Sequence, residues 1–417
     1  MATESRQSSA LTSPGYLVPF IIVTALFFIF GFITNLNMAL VPHLKAVFTL
    51  GFGWAMLVES AFFLAYFVFS APTSKLIESI GYKKTMVVSL FIQVVGCLLF
   101  IPAAKMVSFP LFLSAIFVVG AGVTALQTSA NPYVSILGPD SSSSIRLNLA
   151  QAFNSIGGTL APFVAGAYIL NDLGPNATQM QVADTVRVPY ILIAGGLLIL
   201  GLAVAFMHLP HVEQTQAFRP GGQNDPILSR SIWSYKHTVL GAVGIFFYVG
   251  VEVGLASIAV NYFNQQGVST AKTASFLVSL YWFGALVGRL LGAGIMTRVK
   301  AGKLLGIFGI TAAILITVSM FTSGTVAIAT LILCGFFNSV MFPNIFTLGI
   351  AGLGPMTSKG SGLIMTAVVG GAIIPPLIGF LADKMGIQHA FIVPIICYLY
   401  IAYYGLSGSK PSRTVTA

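Results

Sequence analysis

Gly157-Gly158-Thr159-Leu160-Ala161-Pro162, closed by Gly166, returns in the second half of the chain as Gly370-Gly371-Ala372-Ile373-Ile374-Pro375, closed by Gly379. Each copy lies in the middle of an apolar run. Upstream of each, a Gly-Pro pair, Gly138-Pro139 and Gly354-Pro355, closes the preceding run. One short match carries little weight, but two matches at corresponding places imply an internal duplication. The fifth apolar segment of one half is then the counterpart of the fifth segment of the other.

Outward from these stretches, apolar runs cover residues 16–40, 54–77, 85–104, 109–136, 147–171 and 188–209, then 237–261, 272–298, 304–322, 325–350, 360–382 and 388–408. A helix crossing a bilayer needs about 20 predominantly apolar residues, and these runs are of that order. The longest polar stretch, with His211, Glu213, Arg219, Asp225 and Arg230, separates the two sets. The expected fold is an all-α membrane protein of twelve transmembrane helices in two pseudo-symmetric six-helix bundles. Its expected parts are a disordered tail (1–15), a first bundle (16–209), a cytoplasmic central loop (210–236), a second bundle (237–408) and a C-terminal tail (409–417). The first apolar run is long enough to span and stay, so no cleaved leader is expected.

Composition excludes the alternatives. The chain is 56% hydrophobic and only 7% charged, whereas a soluble domain carries about 25% charged residues. Disordered chains are polar and charge-rich. The net charge of +10 does not mark a nucleic-acid binder, because the cations are scattered through the gaps between apolar runs. With the N-terminus inside, fourteen of the 20 Lys and Arg residues fall in cytoplasmic gaps and tails. Only Lys45, Lys105, Arg187, Lys272 and Lys384 fall outside, and Arg289 lies within a run. The positive-inside rule therefore predicts two cytoplasmic termini. Cys97, Cys334 and Cys397 lie in apolar runs without metal-like spacing and read as small buried hydrophobes. No HExxH, Gly-x-Ser-x-Gly or acid–His cluster is present, and the five histidines sit near run ends or in gaps, so no enzyme and no cofactor is expected.

Several stretches carry a more specific signature. Asn35-Leu36-Asn37-Met38-Ala39-Leu40-Val41-Pro42-His43-Leu44-Lys45 ends the first run, and Gln127-Thr128-Ser129-Ala130-Asn131-Pro132-Tyr133 lies in the fourth. Leu137-Gly138-Pro139, then Arg146-Leu147-Asn148-Leu149-Ala150-Gln151 and Phe153-Asn154-Ser155, opens the fifth. Tyr248-Val249-Gly250 with Glu252-Val253 marks the seventh, Gly288-Arg289 the eighth, and Phe342-Pro343 the tenth. Over nearly its whole length the chain resembles the fucose–galactose–glucose/proton symporter family of the major facilitator superfamily. The resemblance implies a monomeric sugar transporter in a bacterial-type inner membrane, working by alternating access on a neutral hexose such as glucose, galactose, fucose or N-acetylglucosamine. The gap Lys75-Leu76-Ile77-Glu78-Ser79-Ile80-Gly81-Tyr82-Lys83-Lys84 is similar to the superfamily motif that latches the cytoplasmic side, with Glu78 as the acid. Glu78, Lys83, Lys84, Arg146 and Arg289 are the gating residues expected on this reading.

The chain also departs from the family it resembles. The family's proton-handling pair is an Asp and a Glu, and this chain carries Met38 and Gln127 there. Methionine does not titrate, and glutamine only donates and accepts hydrogen bonds. Three outcomes stay open: uncoupled facilitation, coupling relocated to Glu252 or Glu59, and use of another cation such as sodium. Charges inside a bilayer cost several kcal/mol and mark functional candidates. Glu252 lies about 22 Å along the seventh helix and Glu59 about 8 Å into the second. The polar residues expected to face a ligand are Asn35, Asn37, Gln127, Asn131, Gln151, Asn154 and Asn338. Tyr248, Glu252 and Trp282 join them, the rings packing on sugar C–H faces. Gln127 and Asn131 share one helix face, as do Gln151 and Asn154. Two other readings remain, a drug or small-molecule exporter with a more apolar cavity and a sugar sensor that binds without flux.

Overall fold

A computed structural model describes residues 11–12, 15–49, 52–169, 178–207, 209, 230–268 and 271–411. Most of the N-terminal tail, most of the central loop and the last six residues lie outside this set, as do the side chains of Met38, Lys45 and Lys272. The described chain is helical. In order it forms α1 (Leu17–Phe48), α2 (Phe52–Lys105), α3 (Phe109–Ile136), α4 (Ser143–Val164), α5 (Gln179–Asp184), α6 (Arg187–Phe206) and α7 (Lys236–Gln265). There follow α8 (Ala271–Ile295), α9 (Ala301–Phe321), α10 (Gly324–Asn338), α11 (Met341–Ile350), α12 (Thr357–Thr366), α13 (Gly370–Met385), α14 (Ile387–Ala390) and α15 (Ile392–Tyr403).

Ten stretches among the described residues are long and apolar enough to cross a membrane. One of them, Val58–Lys105, is two spans. The backbone breaks at Gly81 (φ 82°, ψ 168°), a conformation that glycine adopts without steric cost. α4, fifth in chain order, completes the set of twelve. It is less apolar because it carries Asn148, Gln151, Asn154 and Ser155, and it ends in one wide turn, Ala165–Ile169. Spans ten and eleven are discontinuous: α10 gives way to α11 beyond Asn338, and a short turn at Ala367–Val369 separates α12 from α13. The short α5 is a surface helix, held by a reciprocal capping box between Thr178 and Gln181.

The duplicated stretches do the same work in each half. α4 packs along α1, and α13 packs along α7. A Cβ at Gly157 would lie 2.1 Å from the Phe28 carbonyl oxygen, and one at Gly370 would lie 2.0 Å from that of Phe246. Glycine also faces each crossing from the other helix: a Cβ at Gly31 would lie 2.2 Å from the Asn154 carbonyl, and one at Gly250 would lie 2.9 Å from that of Gly370. Lipid supplies no hydrophobic drive for helix pairing, so backbone-to-backbone approach through small residues holds such pairs together. The repeat read in the sequence is thus one helix crossing, built twice.

The halves meet along two seams, α4 against α8 and α11, and α12 against α2 and α3. The polar bonds across these seams lie toward the end of the molecule that carries Gly81, Pro139, Val299 and Gly354. Ser144 Oγ and Thr347 Oγ1 are 2.6 Å apart, and Asn148 Nδ2 donates to Asn344 Oδ1 at 3.0 Å. Ser361 Oγ donates to the Thr128 carbonyl at 2.7 Å. A Cβ at Gly362 would lie 2.8 Å from that of Ser74, so the helices of the second seam are in backbone-limited contact.

Candidate functional site

Above the closed seam lies a cavity of about 490 Å³ between the halves, within the range of small-molecule sites, about 300–1,000 Å³. The first half supplies Asn35 from α1, Tyr66 from α2, Gln127 from α3, and Gln151, Asn154, Ser155 and Thr159 from α4. The second half supplies Glu252 from α7 and Ser279, Trp282 and Arg289 from α8. Phe30, Phe62, Phe63 and Phe342 add apolar faces. Two further lining rings, Phe163 and Phe283, are 72% and 59% exposed and stand at the rim.

The polar groups are held by short bonds within their own half. Gln127 Nε2 donates to the Tyr66 hydroxyl at 2.7 Å, and Tyr248 donates its hydroxyl proton to Glu252 Oε1 at 2.7 Å. These four residues lie on two helices of the first half and one of the second, so each half presents one tyrosine-backed polar group. Asn35 donates to the Gly31 carbonyl at 2.9 Å, one turn back on α1. Trp282 packs edge-on against Tyr281, centroids 5.5 Å apart, which fixes the indole at the cavity wall. Arg289 is buried and reaches out of its own half. It donates to the Gln151 carbonyl at 3.0 Å and to Ser155 Oγ on α4, and to the Ser339 carbonyl at 3.3 Å.

Of the residues expected to bind ligand, Asn35, Gln127, Gln151, Asn154, Glu252 and Trp282 line the cavity. Four do not. Asn37 accepts a 2.8 Å bond from Tyr190 inside the first half, and Asn338 donates at 2.6 Å to Tyr281 inside the second. Asn131 lies in the seam, with Nδ2 3.6 Å from the Met365 sulfur. Tyr248 is buried behind Glu252 and acts through it. Burial explains all four: an amide or phenol kept from both lipid and cavity must find a protein partner. Glu59 is half-buried on α2 and is not among the residues lining the cavity. Tyr66, two turns further on, lines it and has no sequence signal beyond helical spacing from Glu59. Ser155, one turn beyond Gln151, was within reach of that same spacing.

The expected gating residues separate into two groups. Glu78 accepts a 2.9 Å bond from Ser358 in the first turn of α12, so it joins the halves where a helix N-terminus favours a carboxylate. Arg289 also joins them. Lys83 instead donates at 2.9 Å to the Ala205 carbonyl, capping the last turn of α6 within the first half, and Lys84 is exposed. Arg146 does not cross either. Although 0% exposed, it bonds the carbonyls of Val134 (3.0 Å), Ser135, Gly138 (3.1 Å), Pro139 (3.1 Å) and Leu11 (2.9 Å). These include the carbonyls that the C-terminus of α3 leaves without helical partners. A Cβ at Gly138 would lie 2.7 Å from the guanidinium, which accounts for the glycine of the Gly-Pro pair. The bonds described for Arg146 all stay in the first half, where they tie the turn between α3 and α4.

Comparison with known proteins agrees with this arrangement. Residues 22–368 match the family model described as Major Facilitator Superfamily. The glucose/galactose transporter of Brucella abortus is 45% identical over 93% of this chain and 93% of its own length. The L-fucose-proton symporter of Escherichia coli K12 is 32% identical over 93% of this chain and 92% of its own. The crystal structure of a major facilitator superfamily transporter, FucP, in the outward conformation superposes with a TM-score of 0.82, at 31% identity, over 94% of this chain and 98% of that one.

Proposed function

The chain belongs to the major facilitator superfamily, alongside glucose/galactose transporters and L-fucose–proton symporters, and from that premise we propose that it carries a neutral hexose across a membrane by alternating access. The carrying observation is the cavity wall. Its polar lining is mostly amides and hydroxyls, set among aromatic faces, with Glu252 and Arg289 the two charged side chains of the described lining. Neutral donors and acceptors match a polyhydroxylated ligand, and rings match its C–H faces. An exporter of hydrophobic cations would find one acid there but also an arginine.

On this reading residues 16–209 and 237–408 rock against each other about the site. The positive-inside bias assigns the seam end to the cytoplasm, with both termini inside a bacterial-type inner membrane. The structure is then the outward-facing state, its cytoplasmic side closed by Glu78–Ser358, Asn148–Asn344 and Arg289. The family's acid pair is absent from the sequence, so proton coupling through that pair is not part of the proposal. Glu252 is the acid that faces the ligand, and Gln127 serves as a hydrogen-bonding wall. A single protomer holds the whole cavity, which supports a monomeric carrier.

Trp282 offers a direct test. The chain has three tryptophans, and this one lines the cavity. Adding glucose or galactose to the purified protein is expected to change its intrinsic fluorescence saturably, and Trp282→Phe is expected to remove most of the change. A signal that responds to no hexose, or survives Trp282→Phe undiminished, would count against a sugar site at this wall.

A further inference from the structure

The cross-half bonds of α4 form a ladder. Ser144, Asn148, Gln151 and Ser155 are spaced four, three and four residues apart, so they share one helix face. Ser144 meets Thr347, and Asn148 meets Asn344. The next rung is Arg289, bonded to the Gln151 carbonyl and Ser155 Oγ. The lower rungs are neutral pairs of side chains. The top rung is charged, and it alone borders the cavity: Gln151, Ser155 and Arg289 all line it, whereas Ser144, Asn148, Asn344 and Thr347 do not.

The top rung is also incomplete. Glu252 lines the same cavity and lies within electrostatic reach of Arg289. The one ion pair among the described residues is nonetheless Asp184–Arg187, at 3.8 Å. In this state the guanidinium spends its donors on a carbonyl and a hydroxyl of the opposite half and on the Ser339 carbonyl of its own, while Glu252 of that half is bonded only by Tyr248 among the described contacts. Bonds from a charged donor to neutral oxygens are weaker than charge-to-charge pairing in a low-dielectric site. Ser155 Oγ also donates to the Gln151 carbonyl at 3.2 Å, so α4 keeps a partner for that carbonyl if Arg289 leaves.

We infer that Arg289 is the ligand-sensing positioning residue of the seam: a ligand in the cavity draws its guanidinium away from Gln151 and Ser155 and toward the ligand and Glu252, releasing the top rung first. The hexose reading above supplies the identity of that ligand; the rung itself does not depend on it. The groups facing Arg289 and Glu252 are Gln151, Ser155, Ser339, Tyr248 and Tyr281.

The test uses a reporter on the other seam. Ser361 is fully buried between α12 and α3, and the native cysteines are buried, so Ser361→Cys gives a thiol that reacts with N-ethylmaleimide when the seam opens. In the full-length protein, Arg289→Gln is expected to speed labelling at least fivefold without sugar and to abolish further acceleration by glucose or galactose. Arg289→Lys, which keeps the charge but loses the fork, and Ser155→Ala are expected to fall between. Parental labelling rates in both Arg289→Gln and Ser155→Ala would overturn the inference. Should Arg289→Gln fail to fold, Ser155→Ala and Arg289→Lys carry the same prediction. If no hexose accelerates the parent while Arg289→Gln still labels faster, the rung stands and the hexose reading falls.

Discussion

Gln127→Ala is expected to weaken hexose binding by about tenfold to a hundredfold, with the protein still folded. Gln127 stands on α3 with Nε2 given to Tyr66 at 2.7 Å, and its carbonyl oxygen is left for a ligand. Removing the amide takes one acceptor from the wall and leaves the Tyr66 hydroxyl without that partner. Losing a buried hydrogen bond while its partner stays costs about 1–3 kcal/mol, and about 1.4 kcal/mol is a factor of ten in affinity. The measurement is the hexose concentration that half-saturates the Trp282 fluorescence change. Gln127→Glu is the complementary variant. It keeps the shape, restores the acid type implied by the family resemblance, and introduces a titratable group. Its hexose transport is expected to acquire a pH dependence that the parent lacks at that site. An unchanged half-saturation in Gln127→Ala would remove this residue from the site.

Gly157→Ala and Gly370→Ala are expected to destabilise the protein by about 3 kcal/mol each, the upper part of the range for forcing extra volume into a packed core. The added carbon would meet a backbone carbonyl oxygen at 2.1 Å and 2.0 Å respectively. Backbone cannot turn away as a side chain can, so α1 and α4, or α7 and α13, must separate. Close helix approach is a main source of helix association in lipid, so separation loses contacts along both helices. Gly196 is the control. It lies on α6 with open space where a Cβ would go, and alanine there gains up to about 1 kcal/mol of helix propensity. Thermal unfolding in detergent is expected to show similar losses for Gly157→Ala and Gly370→Ala and none for Gly196→Ala. Equal behaviour of all three would mean that the duplicated stretch is not the crossing that holds each half.

These glycines also mark how far the sequence could be read. A bilayer needs long apolar helices, so the spans are written in composition; α3 covers Phe109–Ile136, the same range as its apolar run. The repeat was legible because a backbone contact permits only glycine at Gly157 and Gly370, whatever else changes around them. The site was legible in part. Asn35, Gln127, Gln151 and Asn154 reach the cavity, but Asn37 and Asn338 pair with Tyr190 and Tyr281 instead. Helical periodicity separates a lipid-facing side from a protein-facing side. It does not distinguish a cavity from a packed core, because a polar residue avoids lipid in either place. Tyr66 escaped notice for the converse reason, since a tyrosine in an apolar run reads as core. Arg146 was singled out only through the family resemblance, as a gating residue in a cytoplasmic gap; its described partners are largely backbone carbonyls, which no side-chain pattern records.

The most direct test of the central claim, that this cavity binds a neutral hexose and passes it between the two sides, is counterflow. Proteoliposomes preloaded with unlabelled glucose or galactose are diluted into a trace of the labelled sugar, with no ion gradient imposed. The account predicts transient, saturable accumulation of label, absent from empty liposomes and reduced by Gln127→Ala. Binding without any counterflow would identify a sensor, and neither binding nor counterflow with any hexose would contradict the account outright.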